Sequence, residues 1–250
     1  MNREAQAALL FLLGAALLRT GFSDQYLRYV KAGLRPLLVV AGAVLIATAV
    51  ATVWYELRRS RSAPGGREPR RERNPGRRPD HAHREPAVSW LMVLPLLALV
   101  LVAPPALGSY SAMRTGTALQ EPWGFPALPA GDPLRLDVVD YAGRAVYDHG
   151  RALDNRRISL RGFITVDRSG RPYLTRMVLN CCAADAQPVK IGLSGRTPPV
   201  LQPDTWLEVS GSYTGRRGKD PINGGVIPFI DVDRARPVPA PGDPYESWGG

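Results

Sequence analysis

The sequence predicts a membrane-anchored β protein: three transmembrane helices followed by a small five-stranded OB-like β-barrel domain. Three observations lead there. Residues 1 to 112 hold three long apolar runs, whereas the remainder reads like an ordinary soluble sequence. The charge divides at the same place: of the net +10, the stretch from Thr115 onward has 16 Lys+Arg against 15 Asp+Glu, which leaves +9 for the first 114 residues. The C-terminal part also shows five short alternating runs separated by turn residues, with a glycine in the middle of the first and the fourth. A high pI that arises beside apolar runs reports membrane orientation and anionic lipid more than nucleic-acid binding.

The first apolar run, within 5–22, is short for a helix that must cross about 30 Å of hydrocarbon, but Arg19 can extend its stem toward the interface. A signal peptide competes for this run, since Arg3 precedes an apolar stretch of suitable length; no small-x-small cleavage site follows promptly. The second run, 36–55, has no charge over twenty residues and carries Arg35 before it and Trp54-Tyr55 after it. That is the basic flank and aromatic belt of a membrane helix. Residues 56–86 form an Arg- and Pro-rich linker, ten Arg against five acids with almost nothing apolar, and such a segment cannot bury enough surface to fold. The third run, 87–109, contains Pro95 and Pro104-Pro105, which membrane helices tolerate, with Trp90 near the entry and Tyr110 just past the exit.

The arginines of 56–86 favour the cytoplasm for that linker, so the chain after Ser109 is expected outside it. The expected location is the cell membrane, multi-pass, with an extracytoplasmic C-terminal domain. A Pro-rich tether, 110–133, leads to the β domain, 134–250. Asp137 reads as the N-cap of a short helix whose apolar face is Val138, Val139, Ala142 and Val146. The strand candidates are 157–166, 173–181, 188–193, 206–213 and 226–232. A Pro-rich loop, 197–203, replaces any helix between the third and fourth.

The chemistry concentrates in Asn180-Cys181-Cys182-Ala183-Ala184-Asp185, which contains both cysteines of the chain. Four readings compete. Adjacent cysteines bridge only with strain, because neighbouring Cα atoms lie about 3.8 Å apart and disulfides favour 4.4 to 6.8 Å; a strained bridge suits redox chemistry. Vicinal thiols also seize soft metal ions, so zinc or copper is a candidate cofactor with Cys181, Cys182 and Asp185 as ligands, and His149, Asp231 or Asp233 joining through the fold. An intermolecular bridge is the third reading, and simple packing of small apolar cysteines the fourth. His81 and His83 in the linker offer a poorer metal clip, lacking further ligands. No enzyme template is met: there is no phosphate-binding glycine loop, no four-ligand zinc signature, and His149 is the single histidine of the β domain. An OB barrel raises single-stranded nucleic acid as a partner, but the near-neutral domain and its expected side of the membrane oppose it.

Gly162-Phe163-Ile164, Arg176 through Asp185, Pro188-Val189, Trp206 through Gly211 and Pro241 through Glu246 resemble the YcgQ-like family of bacterial membrane proteins. Tyr29-Val30-Lys31 and Ala106-Leu107-Gly108 are also similar to that family. The resemblance implies a small, accessory subunit of a two-component permease, beside a larger multi-span membrane protein, and carries over no catalytic residue. On that reading Cys181, Cys182 and Asp185 contact substrate or the larger subunit. An envelope metal-binding or thiol-redox protein is the alternative.

Overall fold

The computed structural model describes residues 3–61 and 105–248. Two compact units divide the chain: one holds Met1–Ser23 with the segment starting at Arg35, the other joins Asp24–Leu34 to the chain from Pro105 onward.

In the first unit, helix α1 (Arg3–Gly21) packs on helix α2 (Arg35–Arg61). Their closest approach is at two glycines. A Cβ on Gly14 would stand 2.7 Å from Ile46 Cγ1 and 2.8 Å from the Gly42 carbonyl oxygen, so only hydrogen fits there. Small residues at such a crossing are how helices associate where no hydrophobic drive separates them from lipid. Arg35 closes one end by donating from Nε to the Gly21 carbonyl, 2.9 Å away.

Among the described residues one helix, Ala32–Arg59, is long and apolar enough to cross a membrane, and Leu37, Val40, Val44, Val50 and Val53 stand exposed on it. The apolar part of α1, Gln6–Gly21, is shorter. The third expected span, 87–109, lies outside the described residues up to 104, as do His81, His83 and most of the linker. The linker's first residues differ from expectation. Glu56 to Arg61 prolong α2, because Glu, Leu and Arg are good helix formers and the Arg58 guanidinium stacks 3.9 Å over Trp54.

The second unit is built on a closed five-stranded barrel. Strands β2 (Arg157–Val166), β3 (Pro172–Leu179), β4 (Gln187–Gly195), β5 (Trp206–Lys219) and β6 (Val226–Pro237) pair in the cyclic order β2-β3-β4-β6-β5, and back to β2. All pairings are antiparallel except β4 with β6. This is OB topology. Closure bends the strands hard at the two expected glycines: a Cβ on Gly162 would lie 2.8 Å from the Thr175 oxygen, and one on Gly211 would collide with Asp231, at the β5–β6 register shift.

Alternate side chains fill the interior, among them Ile158, Leu160, Ile164, Leu174, Ile191, Val209 and Ile230. Helix α3 (Ser109–Ala112) precedes the barrel, and helix α4 (Val138–Val146) packs against β2, β3, β4 and β6, adding Val138, Tyr141, Ala142 and Ala145 to the same core. A helix before the first strand thus covers the barrel, while residues 197–203 are irregular as expected.

Two short parallel strands flank the barrel and have no period-two signature: β1 (Leu134–Arg135) beside β2, and β7 (Tyr245–Ser247) beside β3. Two further expectations are corrected. Residues 105–109 do not behave as the tail of a membrane span. Ala106 and Leu107 pack on Phe163, Met177, Leu179 and Tyr245, and Leu107 N–H donates to the Tyr245 hydroxyl at 3.0 Å. Nor is 110–133 a free tether throughout. Thr117 is buried, its N–H donating to Asp220 Oδ2 at 2.8 Å and its hydroxyl accepting from Lys190 N–H at 3.2 Å. Nearby, the Lys190 ammonium meets Asp220 at 2.8 Å with both side chains enclosed.

Candidate functional site

The cysteines sit just past the end of β3, not within it. The expected strand 173–181 stops at Leu179 because a carboxylate takes over the following amides: Asp185 accepts from Asn180 N–H at 3.0 Å, Cys181 N–H at 2.8 Å and Cys182 N–H at 3.4 Å. A single turn of 3₁₀ helix, Ala183–Asp185, follows, with Cys182 as its N-cap. The Cys182 side chain accepts from the Asp185 N–H while Asp185 answers the Cys182 N–H, a reciprocal capping box.

A second segment completes the turn. Val30 pairs antiparallel with Cys182: Lys31 N–H donates to the Cys181 carbonyl at 3.1 Å, and Ala183 N–H donates to the Tyr29 carbonyl at 2.7 Å. Tyr245 holds the same loop, its hydroxyl donating to the Arg28 carbonyl at 3.1 Å. The residues between α1 and α2 are therefore a structural part of the thiol-bearing turn.

Both cysteines are free thiols, Cys181 exposed and Cys182 half-buried. Neither belongs to a core cluster, which removes the packing reading. The Asp185 carboxyl is held below its usual range, first by a hydrogen bond from the Cys181 thiol and then by the backbone amides. The same bond, with Cys182 adding, pushes the Cys181 thiol up to about 11. At neutral pH Cys181 is thus a thiol rather than a thiolate, and a weak nucleophile. That counts against thiol-disulfide exchange in the isolated protein.

The two sulfurs and an Asp185 oxygen all lie within 4.8 Å of one another. Donors about 2.3 Å from a common ion stand at most roughly 4.6 Å apart, so a small side-chain rotation closes the set on a zinc- or copper-sized ion. Bound metal would displace the Cys181 proton, as it does from any coordinating thiol.

The other expected ligands are elsewhere. His149 follows α4, its Nδ1 3.2 Å from Arg217 Nη2, and Asp231 and Asp233 are exposed on β6. Residue types alone did not reveal the contribution of Tyr29-Val30-Lys31. A tripeptide in the short stretch between two apolar runs has no signature of pairing with a site some 150 residues away.

A second polar centre lies where β3, β7 and α4 meet. Asp137 occupies the N-cap position of α4 as expected but makes no side-chain cap bond. Glu246 caps the helix instead, its two oxygens accepting from Val138 N–H at 3.1 Å and Val139 N–H at 2.9 Å. Arg176 Nε donates to the same carboxylate at 3.0 Å. Burial pushes the Glu246 carboxyl up to about 7, with Arg176 and the two amides offsetting part of the cost. An arginine inside the largely apolar β3 was the sequence signal for this centre.

Residues 137–246 match the family profile of the DUF1980 C-terminal domain, an interval that covers α4 and the whole barrel. No curated protein and no solved structure matches the chain.

Proposed function

We propose that the chain is a membrane-anchored accessory subunit whose OB domain takes up a soft metal ion, zinc or copper, at Cys181, Cys182 and Asp185, and that it serves a multi-span permease. The observation that carries the metal half is the exposed turn on which two sulfurs and a carboxylate converge within 4.8 Å. Three protein donors leave a tetrahedral ion one position for water or for a donor from a partner, the arrangement of a site that passes its ion on. The permease half rests on the resemblance of the sequence to the YcgQ-like family.

Loop Asp24–Leu34 belongs to the same compact unit as the barrel, which supports placing both on one side of the bilayer. With the arginine-rich linker in the cytoplasm, that side is extracytoplasmic. The protein acts by binding and presentation, with no chemical step of its own.

Full-length protein in mild detergent tests both halves. Zinc or copper(I) should bind one per chain and be lost in Cys181→Ser and Cys182→Ser, and pull-down should recover a multi-span membrane protein. Metal binding without such a partner leaves the other reading, an envelope metal-binding protein. Unchanged metal content in both variants removes the site. A membrane-impermeant maleimide applied to intact cells should label Cys181; labelling only after lysis contradicts the orientation.

A further inference from the structure

The Pro-rich segment before α4 forms a strap beside that helix, and two side chains pin it. The Tyr147 hydroxyl donates to the Leu119 carbonyl at 3.1 Å, and Arg144 Nη2 donates to the Pro126 carbonyl at 2.7 Å. Between these points Trp123 is fully exposed, although tryptophan is ordinarily well buried. One bare indole would mean little alone. Phe125 and Trp248, however, line the same cleft, which is formed by the strap, the first half of α4 and the residues just after β7. Its volume is about 560 Å³, within the range of small-molecule sites.

The charge of the lining is negative: Glu121, Asp137 and Asp140 stand against Arg144. Arg144 is 3% exposed and its charge is met by Asp140 at 2.9 Å. Its guanidinium lies 5.2 Å from the Phe125 ring centre, so one wall of the cleft already holds a cation over an aromatic face. Among the described residues, the Glu121 and Asp137 side chains take no hydrogen bond or ion pair, and no second ring or cation stands against Trp123 or Trp248. Aromatic faces attract cations, and the two unanswered carboxylates add to that attraction while opposing any anion. A primary ammonium brings three N–H donors that must each find an acceptor. A quaternary ammonium brings none, and it suits walls built largely of rings and prolines.

We infer that this cleft binds a quaternary ammonium group, its methyls lying against Trp123 and Trp248 and its charge facing Asp137 and Glu121. Cys181, Cys182 and Asp185 are not among the lining residues, so binding here is independent of the metal.

The test titrates choline chloride into the full-length protein in a maltoside detergent at constant ionic strength. The N-methyl signal is followed by saturation-transfer NMR, with empty micelles subtracted. Choline should bind saturably, and dimethylbutanol, its uncharged carbon counterpart, about tenfold more weakly. Trp123 and Asp137 are both exposed and Asp137 makes no cap bond, so substitutions there spare the fold. Trp123→Ala should weaken choline about fivefold and Asp137→Asn about threefold. Monomeric dihexanoylphosphatidylcholine carries the same cation on a lipid and separates two sources, either of which upholds the site. Tighter binding than choline identifies a lipid headgroup, and weaker binding a free small cation. Three results would each overturn the inference: no saturable choline signal, equal binding of the uncharged counterpart, or unchanged affinity in both variants.

Discussion

Lys31 donates its backbone N–H to the Cys181 carbonyl at 3.1 Å, and this bond ties the loop between two apolar helices to the turn that carries both thiols. The connection is entirely backbone, so it depends on Lys31 having an N–H and not on its side chain. Lys31→Pro deletes the donor while tolerating the extended geometry before it. The loss should cost about 1 kcal/mol of docking and raise the opening population of the turn roughly fivefold. Maleimide labelling of the half-buried Cys182 reads this directly: its rate should rise by a similar factor, whereas Lys31→Ala should leave it unchanged.

Asp185 shapes the same turn and also sets the state of its thiol. Asp185→Ala removes the carboxylate that accepts from three backbone N–H donors and should cost about 1 kcal/mol, in the manner of a lost cap. It also removes the main reason for the elevated Cys181 pKa. Iodoacetamide should then alkylate Cys181 faster at pH 8 than in the wild type, with the midpoint of the rate profile moving down from about 11. A midpoint that stays put would show that the carboxylate does not hold the proton in place.

Glu246 makes stability depend on pH in an unusual direction for a carboxyl group. Its folded pKa, about 7, lies above the ordinary 4.5, so the folded state binds the extra proton throughout that window. Stability attributable to this group is therefore full below about 4.5 and declines as pH rises toward 7, by roughly 3 kcal/mol if fully realised. Glu246→Gln, which mimics the protonated form, lacks this decline. Wild type and variant should therefore be closest in thermal stability near pH 5, and the variant should become the more stable as pH rises to 7.5; a wild type that gains on the variant over that range contradicts the assignment.

The enclosed pair Lys190–Asp220 fastens the segment around Thr117 to the barrel. Lys190→Met strands a buried carboxylate, a change that costs about 3 to 5 kcal/mol. The melting temperature of the β unit should drop by about 10 °C, and limited proteolysis should begin cutting near Thr115–Leu119. A loss of only a degree or two would mean that Asp220 is already satisfied by its amide donors.

The barrel was legible because closure needs what a single strand displays: alternation in Arg157–Val166, a turn at Asp167–Gly170, and glycines at 162 and 211 where bending leaves no room for a Cβ. The cysteine turn was legible as chemistry but not as geometry. Strand propensity ran on through Cys181, and only the tertiary position of Asp185 shows why the ladder stops at Leu179. Pairings across long sequence separations left no local trace: Tyr29–Lys31 with Cys181–Ala183, β7 with β3, and Glu246 capping α4 in place of Asp137. Hydropathy assigned 105–109 to a membrane span because Ala106 and Leu107 are apolar, and apolar residues serve a protein surface as readily as a bilayer.

The central claim is that two adjacent thiols and one carboxylate hold a soft metal ion. X-ray absorption at the zinc edge, on the full-length protein loaded with one equivalent, tests it most directly. The account predicts two sulfur scatterers near about 2.3 Å with lighter oxygen or nitrogen neighbours inside them, and loss of one sulfur in Cys182→Ser. A shell of light atoms alone, unchanged by that substitution, would contradict it.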